Sequence, residues 1–506
     1  MDWPTLLLSE RFYWPPELDK ARQPRVEPDE NPFAGDSARV RRSSAYRRLQ
    51  YKTQVLPFPR LDYPRTRLTH TSEVCDIGRR LATAVFQRIS RERKSEVANI
   101  PNWTETNFLF IVEAACAAHD IGNPPFGHAG EDAIKEWFET RHTAFFDALL
   151  SPVHNEQSSL QETSPEEEPF FPDDCFIPLR QEMFQFDGNA QGFRLLVDRQ
   201  SWRGEGGMQL TLPTLAAFTK YPGTVQSIKR HKYCFYNAHL DSAVSIFNKL
   251  GIPEKSSPYG KCYARHPLAY IVEAADDIAY LVADLEDAIR GEVVRFEGFP
   301  RDCLERIAHA QAHHDAIKNK DFSARYGLVR DNVSSKLRYL GTHAITALIR
   351  ASTESFMHHY AEIMSGDFHG QLLEKSYLQA YVNELKIFSS ENIHCHPGKK
   401  ENEVAGFNII FTLLDLYGDM FSELYDKKYN YSKLSYFNGN LMRVFPWDNY
   451  IAGGFNNNKF QSELESIESH HSLSLILVDY ISGMTDRYAR DRALQLTGHV
   501  ETATRW

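Results

Sequence analysis

The chain is poor in cysteine, and its cysteines are not spaced as a redox or zinc-binding pair would be. Its 506 residues include seven cysteines and no C-x-x-C. An odd number scattered along the chain suits a reducing compartment better than a disulfide framework. No window approaches the roughly 18 consecutive apolar residues of a membrane helix. The Met1-Asp2-Trp3-Pro4 start lacks a basic signal region. We therefore expect a soluble, cytoplasmic protein with no membrane partner.

An excess of positive charge is also lacking. The formal net charge is −10 and the sequence pI is about 6.1. This excludes a polybasic nucleic-acid coat, although local basic patches remain compatible with the composition. Hydrophobic residues make up 42% and charged residues 25% of the chain, which is close to the globular average and excludes wholesale disorder.

Helical periodicity is the main pattern that is present. Apolar residues recur every three or four positions over 69–91 and 268–290, which predicts two amphipathic helices. Further helices are predicted over 105–121, from His128 through Trp137, and over 39–50, where Asp36-Ser37 could form the N-terminal cap. The run 122–127 contains two prolines and two glycines, so it must interrupt the helices on either side. The predicted fold class is predominantly α.

Composition divides the chain into three predicted regions. Residues 1–60 form an N-terminal segment whose basic helix packs on the core, and residues 61–290 form the helical core. Within that core, residues 142–182 are acidic and proline-bearing, which indicates a loop insertion. Residues 291–506 form a helical C-terminal region, with turns where Gly and Asn cluster at 438–458. No internal repeat is found.

The first group with chemical potential is the doublet His119-Asp120 at the end of a predicted buried helix. An imidazole and a carboxylate together suit Mn²⁺, Mg²⁺, Fe²⁺, Co²⁺ or Ni²⁺ better than a thiolate-rich structural zinc site does. Alone, such a doublet is more often a helix-end capping pair than a metal site. His70, at the start of the preceding helix, and the carboxylates Asp276-Asp277, in a later helix, could complete a ligand set.

These residues reproduce the H…HD…D pattern of the HD-domain phosphohydrolases. More closely, the chain resembles the bacterial deoxyguanosine triphosphate triphosphohydrolases (dGTPases). The resemblance runs in order through nearly the whole chain. The matching segments are RRLQYKTQV at 47–55, RTRLTH at 65–70, HDIGNPPFGHAGE at 119–131, FDGNAQG at 186–192, EAADDIAY at 273–280 and DYISGMTD at 479–486.

The resemblance implies an HD-domain helical core over 61–290 around a divalent metal. It also implies that the additional C-terminal helices, over 291–506, complete the nucleotide site. Mn²⁺ or Mg²⁺ is expected, with Fe²⁺, Co²⁺ and Ni²⁺ as alternatives. The implied ligands are His70, His119, Asp120 and Asp276. Asp276 is preferred to Asp277 because Tyr280 and Asp284 follow it on nearly the same helical face.

The resemblance also implies a catalytic pair, His128 and Glu131. Three residues apart on a helix, they share a face, so the carboxylate can orient the imidazole as a general acid for the leaving 5′-oxygen. Without the motif, a capping histidine beside a surface glutamate would be the simpler interpretation.

Nine further residues are implied to bind the substrate. Gln54 would contact the 3′-hydroxyl and Arg67 the phosphates. Glu403 would accept hydrogen bonds from guanine, although the sequence around it departs from the family pattern. The others are Asn189, Lys220, Tyr221 and Lys232 for the triphosphate, and Tyr280 and Asp284 for the nucleotide. Around Lys232 the family usually has Gly and Glu where this chain has Cys234 and His239.

The implied activity is metal-dependent hydrolysis of dGTP, and of other dNTPs, to a deoxynucleoside and inorganic triphosphate, with a metal-activated water attacking the α-phosphorus. Two alternatives remain. One is an HD phosphatase or phosphodiesterase acting on other nucleotides, and the other is a regulatory protein that senses nucleotides or single-stranded DNA. The resemblance also implies a homo-oligomer, with a hexamer favoured, and single-stranded DNA or a nucleotide as a candidate effector. The remaining histidine pairs, including His394-Cys395-His396, are expected to have surface or core roles.

Overall fold

A computed structural model describes most of the chain. The described residues are 1–13, 31–54, 65–141, 181–199, 206–227, 232–257, 260–310, 322, 324–450, 460–465 and 470–499. The predicted acidic insertion at 142–182 lies outside them except for its last two positions.

The described residues are helical, and no sheet occurs among them; the extended pairings are isolated bridges such as Arg11 with Thr211. The predicted α class is therefore confirmed. The α-helices are α1 Trp3–Leu6, α2 Ala34–Arg42, α3 Ser44–Arg48, α4 Arg67–Glu92, α5 Lys94–Val97, α6 Glu105–Ala118, α7 His128–Thr140, α8 Gly188–Arg194, α9 Leu212–Phe218, α10 Leu240–Lys249, α11 Pro267–Arg290, α12 Phe299–Ala310, α13 Val333–His358, α14 Tyr360–Ser365, α15 Gln379–Ser389, α16 Pro397–Asp426, α17 Tyr436–Val444, α18 Phe460–Glu465, α19 His470–Ser482 and α20 Asp486–Leu496.

The chain forms two compact units. The first contains Met1–Gly127 and Asp187–Ala405, and the second contains His128–Phe186 and Gly406–Trp506. The three-region division predicted from the sequence, with boundaries near residues 60 and 290, stays a prediction.

Helix α4 is central to the first unit and packs against α6, α11 and α13. Its predicted apolar stripe is buried throughout, at Val74, Ile77, Leu81, Val85 and Ile89. Each such side chain contributes about 1.5–3 kcal/mol when it is fully removed from water. The helix begins with a capping box in which Thr66 and Thr69 satisfy each other's backbone N–H groups. This fixes the first turn of α4, where His70 lies.

The predicted basic helix at 39–50 is wrong in its start and its continuity. Helix α2 begins at Ala34 with Phe33 as its N-cap, and Ser43 ends it and caps α3. Asp36 does not cap the helix. It is buried and accepts hydrogen bonds from Arg11, Thr211 and Thr214, because a buried carboxylate needs partners that satisfy both oxygens.

In the second unit, α7 is anchored on α16. The indole Nε1 of Trp137 donates a hydrogen bond to Asp415 at 2.8 Å, and Arg141 pairs with the same carboxylate. The turn predicted at Asn438-Gly439-Asn440 is wrong, because these residues lie inside α17. The turns predicted at 453–454 and 456–458 lie outside the described residues. Asn438 donates its side-chain amide to Glu423 of α16, a contact that turn propensity cannot anticipate.

One helix among the described residues, α16, is long and apolar enough to cross a membrane by length and composition alone. Its apolar residues include Ile410, Leu413, Leu414 and Phe421, which are buried inside the protein. Helices in the cores of soluble proteins pass the same test.

Candidate active site

Three of the four predicted metal ligands form one compact group in the first unit. His70 comes from the first turn of α4, His119 follows the last residue of α6, and Asp276 lies in the middle of α11. One ligand atom from each lies within 4.8 Å of the others. His70 Nε2 is 3.1 Å and His119 Nε2 is 3.5 Å from Asp276 Oδ1. Asp277 is not part of this group, as the helical register predicts.

The fourth predicted ligand, Asp120, lies beside the group. Its Oδ2 is 3.6 Å from His119 Nε2 and accepts a hydrogen bond from Arg67 at 2.8 Å. Its Oδ1 accepts the side-chain amide of Asn123. Burial opposes the charged form, but Arg67 and the neighbouring histidines lower the pKa of Asp120 to about 2.

Asp276 is also paired with a cation, the ammonium group of Lys220, which follows α9. Burial opposes both charges, yet their attraction holds the pKa of Lys220 well above and that of Asp276 well below the ordinary values. Each carboxylate at the centre is therefore matched with a predicted phosphate-binding cation.

The ring of His119 is held in a defined tautomer. Its Nδ1 lies 2.7 Å from the carbonyl oxygen of Cys116, so Nδ1 carries the proton and donates it. Nε2 then presents a lone pair, and in the described part of the chain this buried atom has no hydrogen-bond partner. Burial also lowers the pKa of His119, which favours the neutral imidazole.

The loop after Asp120 needs glycine at two positions. A Cβ atom on Gly122 would lie 2.1 Å from the carbonyl oxygen of Gly188, so the loop meets the start of α8 backbone to backbone. Gly127 has φ of +58°, and a Cβ atom there would approach the Arg67 guanidinium to 2.7 Å. Lys52 donates its ammonium to the carbonyl oxygen of Asn123 and holds the same loop.

A second group of side chains extends from α11 to α16. Tyr280, one turn after Asp276, stacks on His394, with 5.8 Å between the ring centroids, and its hydroxyl is 2.8 Å from His394 Nε2. Asp284 Oδ2 is 3.9 Å from the same nitrogen. Lys399 Nζ is 2.9 Å from His394 Nδ1 and 3.5 Å from Glu403 Oε1. Neither His394 nor Lys399 is among the substrate-binding residues predicted from the sequence.

Tyr221 lies under two cations. The Arg265 guanidinium is 5.5 Å and the Lys232 ammonium 5.8 Å from its ring centroid, both within cation–π range. Arg265 also forms an ion pair with Glu273 at 2.7 Å. Arg265 was not among the predicted residues.

Among the described residues, Gln54 and Asn189 form no hydrogen bond with the metal group. Gln54 Oε1 is buried and has no hydrogen-bond partner among the described residues. The Asn189 side-chain amide donates to Asp187, the N-cap of α8, at 2.8 Å.

His128 and Glu131 belong to the second unit, in the first turn of α7. His128 Nδ1 is 3.0 Å from Glu131 Oε2, so the predicted pairing is present. The side chain of His128 is 86% exposed within the described structure, whereas that of Glu131 is 14% exposed.

Similarity to known proteins spans nearly the whole chain. The chain is 32% identical over 511 residues to a deoxyguanosinetriphosphate triphosphohydrolase-like protein of Pseudomonas aeruginosa, and the alignment covers 98% of this chain and 99% of that protein. It is 31% identical to a deoxyguanosinetriphosphate triphosphohydrolase of Klebsiella pneumoniae, covering 96% of each chain. The chain belongs to the deoxyguanosinetriphosphate triphosphohydrolase family. A family member from an Enterobacter species is 30% identical, over 92% of this chain and 93% of that protein. No protein-family model matches the chain.

The residues of this dGTPase-family member fit a divalent cation. Two imidazoles and one carboxylate converge, and the buried lone pair of His119 Nε2 has no competing hydrogen bond among the described residues. Nitrogen and oxygen donors without a thiolate suit Mn²⁺, Mg²⁺ or Fe²⁺ rather than structural zinc. The group is therefore a candidate metal site.

Proposed function

We propose that the protein hydrolyses dGTP, and other dNTPs, to a deoxynucleoside and inorganic triphosphate with a divalent metal. The observation that carries this proposal is the group formed by buried His70 and His119 with half-buried Asp276, flanked by the cations Arg67 and Lys220. Family membership supports the same activity. A divalent cation held by His70, His119, Asp120 and Asp276 would polarise the α-phosphoryl group and lower the pKa of a water molecule.

The charges of the site suit a triphosphate. Asp120 and Asp276 are balanced by Arg67 and Lys220, so a divalent cation would leave a local charge of about +2 for a substrate with up to four negative charges. Neutral His119 adds no charge and keeps its lone pair. Lys220, with Tyr221, Asn189 and Lys232, would hold the phosphates by charge-assisted hydrogen bonds.

We assign His128 as the general acid. The Nδ1–H group donates to Glu131, which leaves Nε2 to carry a proton to the departing 5′-oxygen. Glu131 is the positioning partner. The sugar would lie against Tyr280, with Asp284 and Gln54 near its 3′-hydroxyl, and the base would lie towards Glu403.

The test is the identity of the products. We expect dGTP in ¹⁸O-labelled water with Mn²⁺ to yield triphosphate carrying the label and unlabelled deoxyguanosine, because water attack on the α-phosphorus breaks the bond to the 5′-oxygen. GTP should be a poorer substrate, since Tyr280 and Gln54 crowd the 2′ position.

Other products would identify the alternatives. Orthophosphate released stepwise would indicate an HD phosphatase, and dGMP with pyrophosphate would indicate cleavage at a different bond. Tight nucleotide or single-stranded DNA binding without turnover would indicate a sensor. Each of these results would refute the proposed triphosphohydrolase activity.

We further propose a cytoplasmic homo-oligomer, with a hexamer favoured, and with single-stranded DNA or a nucleotide as a candidate effector. The support is family membership. Mass photometry at nanomolar concentration measures the subunit number directly, and a monomer under assay conditions would contradict the assembly.

A further inference from the structure

Lys399, in the first turn of α16, is a partly desolvated cation at the end of the Tyr280–His394 pair. Its side chain is 16% exposed, and burial lowers its pKa from the ordinary value. An ammonium group has three N–H donors and no acceptor. One donor points to His394 Nδ1 and one to Glu403 Oε1, which leaves one for a ligand.

The direction of these hydrogen bonds follows from the chemistry of the groups. Because Lys399 can only donate, Nδ1 of His394 accepts, and Nε2 of that ring carries the hydrogen. This Nε2–H then donates to the hydroxyl oxygen of Tyr280 at 2.8 Å. The tautomer of His394 and the position of Lys399 are thus set together.

A continuous series of contacts connects the metal group with Lys399 and Glu403. Asp276 lies at the metal group, Tyr280 follows one turn later on α11, and His394 joins Tyr280 to Lys399 and Glu403 on α16. Under the proposed function, on which this inference rests, the triphosphate occupies the end with the metal and Arg67. The base therefore reaches the end where Lys399 and Glu403 lie.

We propose that Lys399 is a specificity-determining residue that donates a hydrogen bond to O6 of guanine, while Glu403 accepts from N1–H and the 2-amino group. One donor beside one carboxylate complements the acceptor–donor–donor edge of guanine. Adenine would place its 6-amino group against the ammonium and its unprotonated N1 against the carboxylate. Both contacts are repulsive, so this pair excludes adenine as well as binding guanine.

Lys400 offers a matched control. It also pairs with Glu403, at 2.7 Å, but its side chain is 56% exposed. Its hydrogen-bond contact within the described residues is Glu403, whereas Lys399 also contacts His394. If the lysines acted only through the charge near Glu403, replacing Lys399 and replacing Lys400 would have similar effects.

The experiment measures kcat/KM for dGTP, dITP and dATP in the wild type, Lys399→Met and Lys400→Met. dITP keeps O6 and N1–H but lacks the 2-amino group. We expect Lys399→Met to lower kcat/KM for dGTP and dITP by about 10- to 100-fold, mainly through KM. For dATP, kcat/KM should not fall and should rise if the repulsion of the 6-amino group by the ammonium is relieved. Lys400→Met should keep the wild-type ratio of dGTP to dATP.

Two further variants test the assignment. Lys399→Arg retains a donor and should recover much of the preference for guanine, which a merely structural role would not predict. Glu403→Gln should weaken dGTP more than dITP, because only dGTP has the 2-amino group. An unchanged ratio of dGTP to dATP in Lys399→Met would overturn the inference.

A binding measurement tests the role of Lys399 independently of the proposed hydrolysis. Isothermal titration calorimetry of dGTP and dATP is repeated with Lys399→Met in a His128→Ala background, where turnover is expected to be slow. A preference for dGTP that Lys399→Met removes would support the inference even if the wild type formed no triphosphate. No preference in the parent protein, or one that persists in Lys399→Met, would overturn it.

Discussion

At the scale of single residues, His128 is the side chain whose role is most directly tested. We expect His128→Ala to retain metal and to lose about 10²- to 10⁴-fold in kcat, the usual contribution of a general acid. Turnover of dGTP and metal content by mass spectrometry provide the two measurements. His359→Ala is a matched control, because His359 forms the same i, i+3 pair with Glu362, at 3.2 Å, outside the site. Equal losses in both variants would contradict the assignment.

His266 shows how burial makes one residue sensitive to acid. It is the N-cap of α11, where Nδ1 accepts the N–H of Leu268 at 3.1 Å and Nε2 donates to the carbonyl oxygen of Leu6 at 3.2 Å. Burial lowers the pKa of His266 to about 4, opposed by the bond to Leu6. A second proton on Nδ1 would remove the cap, so the folded protein keeps the neutral ring.

The depressed pKa predicts a loss of stability in acid. The unfolded chain, with an ordinary pKa near 6.5, binds a proton that the folded chain does not. The contribution of His266 is therefore complete above pH 6.5 and is lost as pH falls towards 4, by about 3 kcal/mol in the free energy of unfolding.

Urea denaturation across this range measures the effect. His266→Asn keeps a capping side chain but cannot titrate, so its free energy of unfolding should depend less steeply on pH. Parallel pH profiles for the two proteins would show that His266 does not carry the effect.

At the scale of elements, the loop between α6 and α7 depends on its contact with α8. Gly122→Ala would place a methyl group 2.1 Å from the carbonyl oxygen of Gly188, and backbone cannot move aside as a flexible side chain can. We expect the free energy of unfolding to fall by about 1–3 kcal/mol. Metal binding should also weaken, because His119 and Asp120 would be displaced with the loop.

Gly327→Ala is the control for this substitution. No atom of the described residues lies within 4 Å of the added methyl group, so stability should be unchanged or rise by up to about 1 kcal/mol. Wild-type metal affinity in Gly122→Ala would show that the contact between the loop and α8 does not position the ligands.

At the scale of the whole molecule, metal binding should stabilise the fold, because its candidate ligands come from α4, from the end of α6 and from α11. At 100 times its dissociation constant, Mn²⁺ should add about 2.7 kcal/mol to the free energy of unfolding. Calorimetric melts with Mn²⁺ and with EDTA measure this difference. Asp276→Asn should abolish it and Asp277→Asn should preserve it, and the reverse order would refute the ligand set.

The sequence by itself determined the helical class and the course of the two principal helices. In α4, one face is buried against neighbours, so the apolar residues recur with the helical period and can be read directly. In α11, burial extends beyond one face, but the periodic apolar residues are all among the buried ones. The same register places Asp276, rather than Asp277, towards His70 and His119. The roles of these residues in catalysis stay predictions.

Only the tertiary structure decided which distant side chains meet. His394 and Tyr280 are 114 residues apart, and no local period encodes their contact. The pairing of Lys220 with Asp276 likewise depends on where α9 ends relative to α11. Asp36 has a pattern typical of a helix cap, yet it is buried among Arg11, Thr211 and Thr214, because burial of a charge is settled by long-range partners. Periodicity reports which face of a helix is buried, whereas the partners on that face are fixed by packing between helices.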